Sequence, residues 1–374
     1  MNNFEKPKET VAGLSNRRNG KIDLLRFVFS VCIALMHFGT SVGDARLFPK
    51  AGLCVEFFFL VSGYLMAKHV AKIMDQPCER LGSESFSYVR KKFFSICPQI
   101  IIAFVIGFTV RHLISAVSPA TFEKHILAGF VEFLNLKMFG FDLWSANGPT
   151  WYISAMLIIM LLIYPLLRKR FDLFCYVIAP LTGFFLLGFF EMTGTDLRTP
   201  MEAVGNTVLK GTLRGLMEIC FGIMLYPLVT ALSKIRFRVG VRCIFSVIEF
   251  LCYAFYFRCL QGTFDTGKTD TYCVIILITA VLLSFSQTGV FSVLFNNRLF
   301  SWLGKFSLSV YLGHRCWSLY IAAKMKNAGY TVQLLWFIIL ASVTALFIHF
   351  VSQYLRKNKQ KIFSTLSGWC VRDA

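Results

Sequence analysis

Charged residues are scarce in this sequence. Asp, Glu, Lys and Arg together make up 16% of its 374 residues, where a soluble domain carries about 25%. That scarcity, with a 56% apolar share, excludes an ordinary soluble domain. Acidic residues are the scarcer half, 20 against 39 basic, and the formal net charge is +19. There is no Walker motif and no dinucleotide-binding glycine motif, which removes the common nucleotide-binding architectures. Nothing repeats at a spacing of roughly 20–50 residues, which argues against solenoids and propellers. The 12 cysteines include no Cys-x-x-Cys pair. No His, Asp and Glu set has ligand spacing, so no metal is implied. The opening MNNFEKPKETVAGLSNRRNG has no signal-peptide apolar core, so the first span is expected to stay as a signal anchor.

Long apolar runs fill almost everything else. Runs of about 17–25 residues suffice to cross a bilayer. Ten fall near Leu24–Gly43, Gly52–Ala71, Phe93–Val117, Trp151–Leu167, Phe174–Met192, Leu213–Leu232, Val241–Leu260, Tyr272–Gly289, Phe306–Ala323 and Leu334–Leu355. The expected fold is all-α, a polytopic integral membrane protein with about ten transmembrane helices. His125–Phe141 is also apolar, but Glu132, Asn135 and Lys137 suit a re-entrant or interfacial helix better than an eleventh span. Lys and Arg fall in the gaps, about twice as many on the side of the N-terminus as on the other. By the positive-inside rule that side is cytoplasmic, and an even span count puts both termini there. Residues 1–21 and 357–374 are then cytoplasmic tails around a transmembrane domain, 22–356, in the inner or plasma membrane. The same placement answers the positive charge. It follows membrane topology, and nucleic acid is not an expected partner; membrane lipids are.

Three ionisable residues stand in or beside the first two spans: Arg26, His37 and Glu56. Charge in hydrocarbon is costly and marks function by default. Eleven residues at 100° each bring His37 back to nearly the face of Arg26, about 16 Å farther along the helix. The second span runs the other way, so Glu56 can approach His37 in depth. A carboxylate beside the imidazole would suit a general base acting on a hydroxyl. A hydrogen bond between helices is the plainer alternative. Ser307, Tyr311 and His314 share one face of the ninth span and can line the same cavity or form a structural stripe. Trp151 opens the fourth span, as an interfacial anchor or a surface on which a sugar ring stacks.

At these residues the chain resembles a known family. LRFVFSVCIALMHF, GLCVEFFFLVSGYLM, YVRKKFFSICP, NGPTWYISAMLIIMLLIYPLL, LRGLMEICFGIMLYPL and LGKFSLSVYLGH are similar, in order, to segments of the bacterial acyltransferase-3 family of membrane-bound O-acyltransferases. The resemblance implies ten spans, acyl-CoA as cytoplasmic donor and a carbohydrate or glycolipid hydroxyl as acceptor. It makes His37 the catalytic histidine. Arg26 and the basic segment Arg90, Lys91 and Lys92 would serve the donor phosphates or the architecture under the site, although membrane anchoring would also explain that segment. Two positions depart from the family pattern: Ser95 stands for an arginine and Met156 for a glutamate. Roles tied to those positions do not carry over. The reading is an O-acyltransferase, most simply an acetyltransferase, with His37 assisted by Glu56. The rival is a transporter or lipid-linked sugar flippase using His37 and Glu56 as a proton relay.

Overall fold

In an apolar layer the backbone has no water to bond, so each polar group must be satisfied within its own segment. The computed structural model meets that demand with helices almost throughout. It describes residues 18–358 except 79, 116, 142–143, 195 and 264–268.

The chain begins with α1 (Gly20–Val42). The Asn19 side chain accepts from the amides of Lys21 and Ile22 at its start, and Gly43 ends it with φ 77°. Asn at the N-cap and a left-handed glycine after the last turn are the expected terminators. Then come α2 (Cys54–Ile73), α3 (Leu81–Ile114), α4 (Pro119–Phe133), α5 (Trp151–Lys169) and α6 (Phe171–Met192). A two-residue hairpin pairs β1 (Ala203–Val204) with β2 (Val208–Leu209). Its turn residues Gly205 and Asn206 both have positive φ, as a type I′ turn requires. The rest is α7 (Lys210–Lys234), α8 (Val239–Leu260), α9 (Thr269–Ser286), α10 (Arg298–Gly313), α11 (Arg315–Lys324) and α12 (Tyr330–Lys357).

Eight of these helices are long and apolar enough to cross a membrane. Two of the ten expected spans differ from that standard. The eighth is α9, whose apolar helix Asp270–Ser286 is shorter. The ninth is interrupted at one residue, His314, between α10 and α11, with φ −85° and ψ −34° still in the helical region. The apolar stretch at 125–141, expected to be a re-entrant or interfacial helix rather than a span, holds the second half of the 15-residue α4 and a 3-10 turn at Lys137–Phe139. At 34 residues α3 is about 51 Å long. A hydrocarbon core of about 30 Å leaves its first turns outside.

Two helix pairs hold the centre. α1 lies along α10, and α2 along α7. α2 is the most enclosed span; α3, α8 and α12 turn most of their surface outward. The α2–α7 approach depends on glycine. A Cβ at Gly63 would overlap the Ile219 carbonyl, and one at Gly222 would overlap the Leu60 carbonyl. Small residues at such crossings let backbones meet closely in membranes. The start of α1 is fixed by Lys21, whose ammonium lies 2.7 and 2.8 Å from the Glu249 carboxylate. Asn19 adds a bond to the Ser284 carbonyl.

Candidate active site

α1 presents Arg26 and His37 to the interior, both partly exposed. At His37 the neighbouring group is another imidazole. The His37 and His314 rings stack with centroids 5.3 Å apart and planes 19° from parallel. Neither ring nitrogen of His37 has a hydrogen-bond partner among the described residues. His314 sits at the break between α10 and α11, fully buried. Its Nδ1 lies 3.1 Å from the Val310 carbonyl. A carbonyl only accepts, so Nδ1 carries the hydrogen and Nε2 is the bare acceptor. That Nε2 is buried without a partner.

The next residue adds a cation. Arg315 donates to the hydroxyl of Ser41 at 2.9 Å, and Ser41 donates to the His37 carbonyl at 2.7 Å. Arg315 therefore meets hydroxyls, Ser41 and more distantly Ser318, rather than a carboxylate. Tyr311 donates to the Pro149 carbonyl at 2.8 Å, which ties α10 to the segment before α5. Ser307 spends its hydroxyl on the Gly304 carbonyl of its own helix. The stripe expected from sequence is thus divided: Ser307 is internal to the helix, while Tyr311 and His314 reach the site.

Glu56 does not join His37. It faces Arg214 of α7 with Oε1 3.5 Å from Nη2, and both side chains are fully buried. Arg214 also bonds Glu218 at 3.1 Å, the Leu197 carbonyl at 2.7 Å and the Gly52 carbonyl at 2.9 Å. The cause lies in helix direction: the first turn of α2 points its carboxylate toward α7, with which α2 packs, rather than toward α1. Trp151 is enclosed too, only 9% exposed, with the Arg214 guanidinium 5.6 Å from its ring centre and Phe59 beside it. Its ring is therefore part of this packed cluster rather than an open platform.

The basic segment splits by helix face. Arg90 and Lys91 are exposed, whereas Lys92 turns inward and is close enough to feel the charge of Arg26. Among the described residues neither Arg26 nor Lys92 has a carboxylate within 4 Å. Asp23, one turn before Arg26, is taken by Arg18 at 2.7 Å. Ser95 donates to the Lys92 carbonyl, and Met156 receives the hydroxyls of Ser62 and Tyr152 on its sulfur at 3.4 and 3.5 Å. Tyr152 in turn lies within electrostatic reach of Arg26. Rings of Tyr152, Phe58 and Tyr311 follow one another at about 6 Å and lead to His314. An aromatic row therefore joins the cationic end of the site to the histidine pair.

Three contributors have no site role in the sequence reading. Arg214 and Glu218 stand four apart inside an apolar run, a pattern that itself signals a buried ion pair. Glu132 is the third. It accepts from Ser145 at 2.8 Å, Ala146 N at 2.7 Å, Asn147 N at 3.0 Å and Thr150 at 2.9 Å. That carboxylate organises the turn leading into α5. Asn147 on the turn donates to the Leu312 carbonyl at 2.8 Å, two residues before His314. Among the described residues no group of three His, Cys, Asp or Glu side chains is placed to hold a metal ion.

Comparison with known proteins gives one result. The family model described as an acyltransferase domain, acyltransferase-3, matches residues 19–353. No curated protein and no solved structure matches.

Proposed function

Because the chain belongs to the acyltransferase-3 family, and is a membrane acyltransferase at that level, we propose that it moves an acyl group from acyl-CoA to a carbohydrate hydroxyl. Acetyl is the simplest acyl group, and the donor enters from the cytoplasmic side. The acceptor is a cell-surface or lipid-linked glycan. With the N-terminus inside, Arg26 and Lys92 lie toward the cytoplasm and His37 toward the outer face.

The observation that carries this reading is the arrangement of Arg26 and His37 along α1 with Lys92 of α3. Among the described residues, two inward cations without carboxylate partners stand at one end, and an imidazole whose ring nitrogens have no hydrogen-bond partner stands at the other. A half-buried cation turned inward without a carboxylate partner suits an anion, and the Arg26 and Lys92 end offers two of them. The phosphates of CoA are such an anion, and charge-assisted bonds to phosphate are among the stronger polar contacts. The aromatic row between the two ends can flank the slender pantetheine arm and exclude water from the thioester.

His37 then acts as general base. It takes the proton of the acceptor hydroxyl while the hydroxyl oxygen attacks the thioester carbon. The new C–O bond forms, the C–S bond breaks, and the imidazolium returns its proton to the leaving thiolate. The products are an O-acyl glycan and free CoA. Glu56 and Arg214 support the α2–α7 frame behind the site rather than the base itself.

A transport reading would use the same ionisable residues within the spans as a proton relay. The two readings separate on one observable. Detergent-purified protein given acetyl-CoA and a cell-envelope glycan extract releases thiol if it transfers the acyl group. A transporter or flippase releases none.

A further inference from the structure

α4 has an apolar face that the rest of the chain leaves open. Ile126, Leu127 and Phe130 on it are 50–64% exposed. Beside that face lies a cavity of about 560 Å³, within the ordinary range of roughly 300–1,000 Å³ for a ligand pocket. Leu127, Phe130, Val131 and the Trp144 ring give it an apolar wall. Lys124 and His125 line it nearer the start of α4.

Aromatic contacts hold this wall in place. Trp144 stacks on His125 with ring centres 4.0 Å apart and planes 12° from parallel. Phe108 of α3 packs at 88° to the indole, with centres 5.7 Å apart. His112 of α3 places the protons. Its Nδ1 lies 2.8 Å from the Phe108 carbonyl, so Nδ1 donates and Nε2 accepts from Nδ1 of His125 at 3.1 Å. Two neutral imidazoles satisfy that arrangement, and the positive charge here belongs to Lys124 and Arg111. The Arg111 guanidinium, in the last turn of α3, stands 5.6 Å from the centre of the Trp144 ring. Among the described residues neither cation has a carboxylate within 4 Å. Glu132, whose charge Arg111 feels, is already filled by the four donors of its own turn.

An occupant has to answer both halves of this cavity. A purely apolar ligand would leave the two cations without a counter-charge. A free inorganic anion would leave the apolar wall in water. An amphiphile with an anionic head answers both, and a phosphate has oxygens enough for an arginine and a lysine together. Depth and access name the source. The first turns of α3 lie outside the hydrocarbon, so its last turn, with Arg111, reaches the far headgroup boundary. The cavity opens beside the exposed apolar face of α4, where bilayer lipid is the neighbour.

We propose that this cavity binds one anionic phospholipid of the bilayer, with its phosphate against Lys124 and Arg111 and an acyl chain along Leu127, Phe130 and Val131. The site goes beyond acyl transfer and does not depend on that reading. Trp144 is three residues from Asn147, at most about 11 Å of chain, and Asn147 bonds the Leu312 carbonyl of α10. A bound lipid therefore braces the turn that meets α10.

The experiment uses the full chain, purified in neutral detergent and stripped of lipid. Native mass spectrometry counts bound lipid during titration with phosphatidylglycerol or phosphatidylcholine, and again with inorganic phosphate added. The wild type is compared with Lys124→Gln, Arg111→Gln and Arg236→Gln, the last an exposed cation between α7 and α8. One phosphatidylglycerol should bind saturably, and phosphatidylcholine about tenfold more weakly. Lys124→Gln and Arg111→Gln should each weaken the first phosphatidylglycerol about tenfold, as the loss of one charge-assisted hydrogen bond does. Arg236→Gln should change it less than twofold, and inorganic phosphate should not displace the lipid.

Equal affinity for the two lipids, or wild-type affinity in Lys124→Gln, would overturn the site. Lys124 is exposed on α4, so that variant keeps the test decisive if Arg111→Gln fails to fold. An equal loss in Arg236→Gln would mean diffuse surface charge and overturn it as well. Displacement by inorganic phosphate would show a free-anion site in place of a lipid site.

Discussion

Glu56 and Arg214 face each other across the α2–α7 interface, 3.5 Å apart and wholly buried. Arg214 also holds the carbonyls of Leu197 and Gly52, so one guanidinium joins two helices to the loop before α7. Removing one partner of a buried ion pair leaves an uncompensated charge, at a cost of about 3–5 kcal/mol. Arg214→Ala should therefore lower the thermal midpoint sharply or prevent recovery of monodisperse protein. Glu56→Gln keeps the shape and should cost less. It should also leave the pH profile of transfer unchanged, because Glu56 is bonded to Arg214 and not to His37. A shifted profile would show that the carboxylate acts on the base.

Lys92 is distinguished from its neighbours by facing Arg26. Lys92→Ala should raise the KM for acyl-CoA about tenfold or more, consistent with the loss of a charge-assisted hydrogen bond. Arg90→Ala and Lys91→Ala, both at exposed positions, should change it less than twofold. Donor titrations on the three variants check this directly.

Glycine is required at the α2–α7 crossing. Gly63→Ala and Gly222→Ala each drive a methyl into a backbone carbonyl, and overpacking of this kind costs about 1–3 kcal/mol. Gly188 in α6 has open space at the Cβ position. Gly188→Ala should be neutral or slightly stabilising, since alanine is the better helix former. Thermal unfolding of the three variants in one detergent gives the comparison.

Glu132 accepts four hydrogen bonds from the turn that carries Asn147 and Thr150. Glu132→Ala leaves buried amides unsatisfied and should loosen residues 145–150. The expected sign is faster amide exchange across that turn, with CoA affinity retained. Unaltered exchange would mean the turn is held by other contacts.

Much of this is legible in the sequence. Periodicity alone places Arg26 and His37 on one face of α1, and the apolar runs place the spans. The break at His314 was not legible, because YLGHRCW holds no proline and its one glycine is compatible with a continuous helix. The partner of Glu56 was not legible either. Depth along a span can be counted from sequence, but which neighbouring helix lies opposite depends on packing. The inward turn of Lys92 is a matter of helix phase, which no charge count reveals. Arg214 with Glu218 was within reach, as an i,i+4 pair inside hydrocarbon. The cavity beside α4 exists only in three dimensions.

The most direct test is thiol release from acetyl-CoA by purified wild type and His37→Ala, each supplied with envelope glycan. The affinity of each for CoA is measured beside it, as a check on the fold. Glycan-dependent release by the wild type, lost in His37→Ala with CoA affinity intact, is the predicted result. Equal release by the two proteins would contradict the assignment of His37 as the base.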